Sequence, residues 1–222
     1  MTCLKGNTLD KIIKAITEMV LEAAKFSAGQ SLESAMQEYR NELALTMLEY
    51  LESDRPITAF RNQYKRATND AFNAAMYAGW GDGKGQGPIP DSLVSWTNGQ
   101  IDSQMGYIDG VFDELKALRK EGDKTKWGDF VASRADGYSG SLTGIYARAK
   151  MEAGKLGMGV WRVGPTEHCT TCASLDGQVR TVRAFLDAGL IPQQKGSPTL
   201  ECGGWNCQCT ICDPETGKVL VP

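Results

Sequence analysis

The chain has 222 residues, a mass of 24.1 kDa and a net charge of −3, a size that suits one core with an appendage or two small domains. Hydrophobic residues make up 41 % of it and the mean hydropathy is −0.32, as in globular chains; no apolar run approaches the roughly 20 residues of a membrane span, and the N-terminus does not resemble a secretory signal. The 24 basic and 27 acidic residues are spread evenly, so no segment has the basic excess that favours nucleic-acid binding.

Three amphipathic helices are predicted in the first 80 residues. Apolar residues recur at i, i+3 and i+4 over residues 8–27, over residues 31–52, and from Pro56 to about Met76. Thr8 and Ser31 are suitable N-caps for the first two helices, and Pro56 is suited to open the third. These helices begin a predicted helical body.

A stretch rich in glycine and proline, residues 79–90, interrupts the helical pattern. It holds five glycines and two prolines, which predicts a flexible hinge or an exposed loop. A phosphate-binding loop is excluded because no strand precedes the stretch and no GK[ST] register fits. The helical pattern resumes over residues 91–120, a short helix is expected near residues 126–133, residues 136–140 break the chain, and a last helix is predicted over residues 141–156.

The pattern changes after Val160-Trp161. Residues 160–222 contain one short helical candidate, residues 182–188 with Thr181 as its cap, among turns, short extended pieces and cysteines. The predicted fold is therefore mainly α, with an elongated helical body followed by a small cysteine-rich α+β knob that binds zinc. The domains are expected at residues 1–140, with the hinge at residues 79–90, and at residues 141–222.

The cysteines carry the strongest chemical signal. Six of the seven lie close to the C-terminus, in a Cys-x-x-Cys pair and a later group of four: Cys169, Cys172, Cys202, Cys207, Cys209 and Cys212. Without a secretion signal a reducing compartment is the default, where clustered cysteines indicate a metal site. Zinc takes four thiolates in a tetrahedron and can pin a segment of about 60 residues that has little core of its own.

The spacing does not decide which thiols of the later group join Cys169 and Cys172. Cys209 with Cys212 would give a symmetric site, and Cys202 with Cys207 or Cys209 an asymmetric one. Disulfides and free thiols are the alternatives to a metal.

No catalytic constellation is visible. The single histidine, His168, excludes intrachain sites that need two, such as HExxH zincins. His168 adjoins Cys169, but neighbouring side chains of an extended turn point apart, so it is interpreted as a surface residue rather than a ligand or a base. Cys3 stands apart from the other cysteines and is interpreted as a bystander. The chain is not expected to be an enzyme.

Residues 141–212 resemble the C-terminal module of tailed-phage head morphogenesis proteins, the minor head proteins related to phage Mu protein F and the SPP1 head morphogenesis protein. The resemblance lies in the helix IYARAKME (residues 145–152), Val160-Trp161, the run TEHCTTCASLDGQ (residues 166–178) and the ending CGGWNCQC (residues 202–209). Gln208 stands where the family has arginine between its last two cysteines. The resemblance implies that Cys169, Cys172, Cys202 and either Cys207 or Cys209 bind one structural zinc ion, with Cys212 outside the site.

The resemblance also implies a structural role in the virion. Proteins of this family are minor head components that associate with the portal protein during procapsid assembly, and some affect DNA packaging or release. The expected partners are the portal protein and the major capsid or scaffold protein, with weak contact to packaged DNA, no membrane, and several copies per particle. The expected location is the head interior or portal vertex, and the host cytoplasm during assembly.

The alternative function is a zinc-ribbon module that binds nucleic acid. Trp205 lies beside the cysteines and could stack on a base. The nearby cations are few, namely Arg162, Arg180, Arg183 and Lys195, and the predicted knob has a net negative charge.

Overall fold

The computed structural model describes residues 30–53, 56–165, 167–205 and 207–222, and 62 % of the described residues are helical. Five helices come first and a small mixed region follows. The helices are α1 (Leu32–Glu52), α2 (Ile57–Asp82), α3 (Asp91–Glu121), α4 (Trp127–Ser139, after a 3-10 turn at Lys124–Lys126) and α5 (Ser141–Glu152). The elements that follow are β1 (Met158–Arg162), α6 (Thr170–Leu175), β2 (Val179–Thr181), α7 (Val182–Asp187), β3 (Thr210–Cys212) and β4 (Val219–Val221).

The first two described helices begin where the sequence predicts. The Ser31 hydroxyl accepts a hydrogen bond from the Ser34 amide at 3.1 Å, so Ser31 is the N-cap of α1. Pro56 precedes α2, whose first residue is Ile57. The helix predicted over residues 8–27 lies outside the described residues.

Helix α2 continues through the first part of the predicted hinge. It ends at Asp82, so the loop spans only residues 83–90, and the prediction of a hinge from Gly79 is wrong at that end. The reason is helix packing, because a Cβ at Gly79 would overlap the Tyr146 carbonyl oxygen of α5. A Cβ at Gly83 would lie 2.5 Å from Ala153 Cβ. Glycine here lets two helices approach closely.

The next helices also differ from the prediction at their ends. Helix α3 matches the predicted range, but α4 runs to Ser139, so the predicted break at residues 136–140 is reduced to Gly140. Helix α5 ends at Glu152, before the predicted end, and Gly154 follows with φ +76°. We call α1–α5 the helical part.

Aromatic side chains fill the core of the helical part. The Tyr50 ring packs edge-on against Phe60 and Phe112, with centroids 5.2 and 5.4 Å apart. The buried Tyr39 hydroxyl lies 2.9 Å from Thr68 Oγ1, which satisfies both polar groups. The predicted apolar stripes therefore face one another.

Residues 158–222, which we call the cysteine-rich part, form a four-stranded antiparallel sheet in the order β2-β1-β3-β4. Trp161, Ile211 and Val221 are fully buried in a second core beneath the sheet. Helix α5 contributes Ala147 and Met151 to this second core. Its other buried apolar side chains belong to the core of the helical part: Leu142, Ile145, Tyr146 and Ala149. The two parts are thus joined by one helix that serves both cores.

The structure confirms a mainly helical chain that ends in a small antiparallel sheet within a cysteine-rich region. The elongation of the helical body and the domain boundary at residue 140 stay predictions. No helix in the described ranges combines the length and the apolar character needed to cross a bilayer.

Candidate metal centre

The Cys-x-x-Cys pair opens helix α6, which the sequence analysis missed. Cys169 is the N-cap, and its Sγ accepts from the Cys172 amide at 3.4 Å. The expectation of a single short helix in residues 160–222 is therefore wrong. Cysteine is not among the usual N-cap residues, and six helical residues are too few for a periodic pattern.

The Leu-Asp-Gly run of residues 175–177 turns the chain from α6 back to the sheet. Gly177 has φ +76°, and its amide donates to the Trp161 carbonyl at 3.0 Å. The Asp176 carboxylate accepts from the Val163 amide at 3.2 Å. The run thus fixes the position of α6 relative to β1.

Within the second cysteine group, a tight turn at Gly203-Gly204 comes directly after Cys202. Both glycines have positive φ, 57° and 74°, a backbone conformation that glycine adopts without strain. A Cβ at Gly204 would overlap the Gln194 carbonyl oxygen, and the Gly203 carbonyl accepts from the Gly196 amide at 2.8 Å. The turn is therefore packed directly on the loop at residues 193–196.

Glu201 joins the two cysteine groups, a role that no local pattern in the sequence indicates. Its carboxylate accepts from the Thr170 amide at 2.8 Å, and its own amide donates to Thr171 Oγ1 at 3.3 Å. A carboxylate at the start of a helix satisfies amides that have no partner within the helix. Glu201 therefore holds Cys202 beside the first turn of α6.

The structure brings together all five cysteines that the sequence analysis selected. They form two groups of three, within each of which the sulfur atoms lie no more than 4.8 Å apart, and both groups contain Cys172: Cys169, Cys172 and Cys202, and Cys172, Cys207 and Cys209. Cys212 belongs to neither group; it lies in β3 opposite Val160 of β1. His168 is exposed.

The donor set fits a thiophilic metal ion. In a tetrahedral zinc site with Zn–S bonds of about 2.3 Å, the sulfur atoms are about 3.8 Å apart. Three sulfurs within 4.8 Å need only small shifts to reach that geometry, and the fourth ligand would come from the other group. Cys172 is common to both groups, so any choice of four ligands that completes one group retains it.

The thiols differ in how readily they lose a proton. A hydrogen bond from the Cys209 thiol lowers the pKa of Cys207 to about 5, despite its burial. The same contact raises the pKa of Cys209, and burial raises the pKa of Cys172. Burial also acts on Cys169, but amide hydrogen bonds from Cys172 and Cys202 outweigh it and lower its pKa. A bound cation would replace the protons on the remaining thiols.

The cluster lies at the edge of the second core rather than on a free surface. Cys172 and Cys209 are buried and pack with Leu175 and Ile211. All six cysteines of residues 169–212 are free thiols in the structure. A metal there would stabilise the only part of the described chain whose core depends on short elements.

Comparison with known proteins adds no assignment. No protein-family model, no curated protein and no solved structure matches this chain. The function is therefore argued from the residues of the cysteine-rich part and from the resemblance carried by its motifs.

Proposed function

We propose that this chain is a structural minor head protein of a tailed bacteriophage that binds the portal protein or inner capsid during procapsid assembly. The strongest support is that the residues of the resemblance meet at one place: the Cys-x-x-Cys pair, the Leu-Asp-Gly turn and the second cysteine group surround α6 and β1. Its site of action is the head interior or portal vertex, in several copies per particle, and its role is structural rather than catalytic.

One zinc ion is the proposed structural cofactor. Cys172 and three of Cys169, Cys202, Cys207 and Cys209 would hold it, and when bound it supplies a rigid link between α6 and the segment before β3. The chain's own contacts already orient the ligands, through Glu201 at the start of α6 and the paired glycines of the turn. The result is a compact head on the helical part that keeps its shape during assembly.

Portal binding is tested with this chain and the purified portal protein of the same phage. We expect the two to co-elute in size-exclusion chromatography and to co-sediment. Cys172→Ser should weaken this association because it removes the ligand shared by both thiol groups, whereas Cys212→Ser is the matched control and should leave it intact. Failure of the wild-type chain to associate with portal, procapsid or capsid protein would refute the proposal.

Nucleic-acid binding remains the second candidate because Trp205 is 48 % exposed and Lys195 lies over its ring at 5.5 Å. The arginines offer less support. Arg183 is paired with Asp187 at 2.8 Å, and Arg180 contacts Gln178 and the Phe185 ring. If this candidate is correct, DNA affinity falls steeply between low and moderate salt; absence of binding at low salt eliminates it.

A further inference from the structure

The five clustered thiols outnumber the four that tetrahedral zinc takes, so one thiol stays outside the metal's coordination sphere. Cys172 is common to both groups of three sulfur atoms, and an ion that completes one group takes its fourth ligand from the other. The uncoordinated thiol is therefore one of the remaining four: Cys169, Cys202, Cys207 and Cys209. The hydrogen bonds that reach each sulfur atom distinguish them.

Backbone amides donate to the two sulfur atoms that join Cys172 in the first group. The Cys169 sulfur accepts from the Cys172 amide at 3.4 Å and from the Cys202 amide. The Cys202 sulfur accepts from the Gly204 amide, in the turn that the paired glycines form. Amide hydrogen bonds to sulfur stabilise the thiolate, which is the form that binds a metal ion.

The Cys207 sulfur lies in a similar environment. It accepts from the Cys209 amide, two residues along the chain, and from the Gln193 amide in the loop that packs beside the glycine turn. It is also close to the first group, because burial raises the pKa of the Cys202 thiol and the neighbouring Cys169 and Cys207 thiols raise it further. Cys207 is thus the member of the second group suited to bind a metal beside Cys202.

The Cys209 sulfur differs from these three. Its thiol donates to the Cys207 sulfur, and no amide of the described residues donates to it in return. The Cys209 side chain is 1 % exposed and packs in the second core with Ile211. A buried thiol without amide donors keeps its proton more readily than a thiol that amides approach. Cys209 is therefore the thiol that fits the place outside the coordination sphere.

We propose that one zinc ion is held by the four thiols other than Cys209: Cys169, Cys172, Cys202 and Cys207. Cys209 is a positioning residue, whose thiol donates a hydrogen bond to the coordinated Cys207 sulfur. Partners of this kind orient a metal ligand and adjust its affinity for the ion. The assignment rests on the zinc ion of the proposed function, but it does not depend on the portal protein as the partner.

The test is a titration of the reduced chain with Co²⁺ in the absence of oxygen, since Co²⁺ occupies tetrahedral thiolate sites and its charge-transfer absorption reports the number of thiolates. The wild-type chain should bind one Co²⁺ with the spectrum of four thiolates. Cys209→Ala should keep the four-thiolate spectrum, whereas Cys207→Ala should lose about a quarter of the charge-transfer intensity because one of four ligands is gone. Cys212→Ser, outside both groups, is the matched control and should behave like the wild type.

The positioning role has its own signature. Cys209→Ala removes the donor to Cys207, so zinc affinity, measured by competition with a chelator, should fall about 10- to 100-fold. The charge-transfer band should also move to lower energy, because a thiolate without that donor gives up electron density more easily. Cys209→Ser keeps an O–H donor and should restore both the affinity and the band position. It also preserves the test of the ligand set if Cys209→Ala fails to fold.

Three results would overturn the proposal. Loss of a thiolate from the spectrum of Cys209→Ala or Cys209→Ser would make Cys209 a ligand. A four-thiolate spectrum in Cys207→Ala would show that Cys207 is not required in the ligand set. Absence of Co²⁺ and zinc binding by the wild-type chain would refute the zinc site of the proposed function together with the assignment. Because the portal protein takes no part in these measurements, failure of portal binding is distinguished from failure of the assignment.

Discussion

The helical part and the cysteine-rich part are stabilised in different ways. Helices α1–α5 bury long apolar stripes against one another, with aromatic residues such as Phe60 and Phe112 at the centre. In the cysteine-rich part the helices have six residues each, three of the four strands have three, and five thiols converge instead. Burial alone can hold the first part, whereas short elements with a small core lead us to expect that a cross-link stabilises the second.

Metal removal should separate the two parts most clearly. Apparent zinc affinities of about 10–16 kcal/mol in small zinc domains exceed what a short core contributes, so chelation should unfold the cysteine-rich part. Amide hydrogen exchange should show the Trp161 amide, bonded to Gln178, losing protection while the amides of α2 keep theirs. Cys172→Ser should have the same effect without a chelator.

The control for that experiment is Cys212→Ser. Cys212 is buried in β3 but belongs to neither thiol group, so its replacement should leave metal content and protection nearly unchanged. If the wild-type chain keeps full protection of β1 after chelation, the contrast between the two parts is wrong.

A truncation in the aromatic core tests the helical part. Phe112→Ala should lower the free energy of unfolding by about 3–5 kcal/mol, because Phe112 is 1 % exposed and packs on two tyrosines. Leu45→Ala, at a site more than half exposed, should change it by less than about 0.5 kcal/mol. Denaturant titration followed by circular dichroism measures both, and a similar effect of the two changes would contradict the packing described.

The glycines of α2 test how closely this helix packs against α5. Gly79→Ala should destabilise the chain by about 1–3 kcal/mol, because the new methyl group would overlap the Tyr146 carbonyl. Gly81→Ala, two residues away and facing open space, should be neutral or stabilise by up to about 1 kcal/mol. Thermal unfolding should show that the two substitutions change the stability of the chain in opposite directions. Changes in the same direction would mean that the stretch is the flexible hinge that its composition suggests.

The smallest effects are expected at the helix caps, one in each part. Ser31→Ala and Thr181→Ala each remove a side-chain oxygen that accepts from an amide at 3.1 Å, and each should cost about 1 kcal/mol. The first should lower only the unfolding transition of the helical part and the second only that of the cysteine-rich part. A shift of both transitions by either variant would show that the two parts unfold as one unit.

The sequence predicted the elements whose signals are local and repeated. The stripes of α1 and α2 and the caps of α1 and α7 are examples, with Ser31 and Thr181 in the expected roles. It failed at residues 79–82, because the composition of that stretch indicates flexibility while its conformation is decided by contact with α5. Helix α6 was missed because its cap is a cysteine.

The candidate site also combines residues with a local sequence signal and residues whose role depends on contacts between distant segments. Clustering indicated six cysteines, the resemblance implied a site within Cys169, Cys172, Cys202, Cys207 and Cys209, and the structure places these five together. Glu201 could not be found from the sequence, because its role depends on a contact with the start of α6, a segment distant in the chain.

Elemental analysis of the natively purified chain tests most directly whether a metal ion holds the cysteine-rich part. About one zinc ion per chain, with chelation exposing about four thiols to titration, is the predicted result, since tetrahedral zinc takes four thiolates. Absence of metal in a chain that keeps its sheet, with the thiols reactive from the start or already blocked as disulfides, would contradict it.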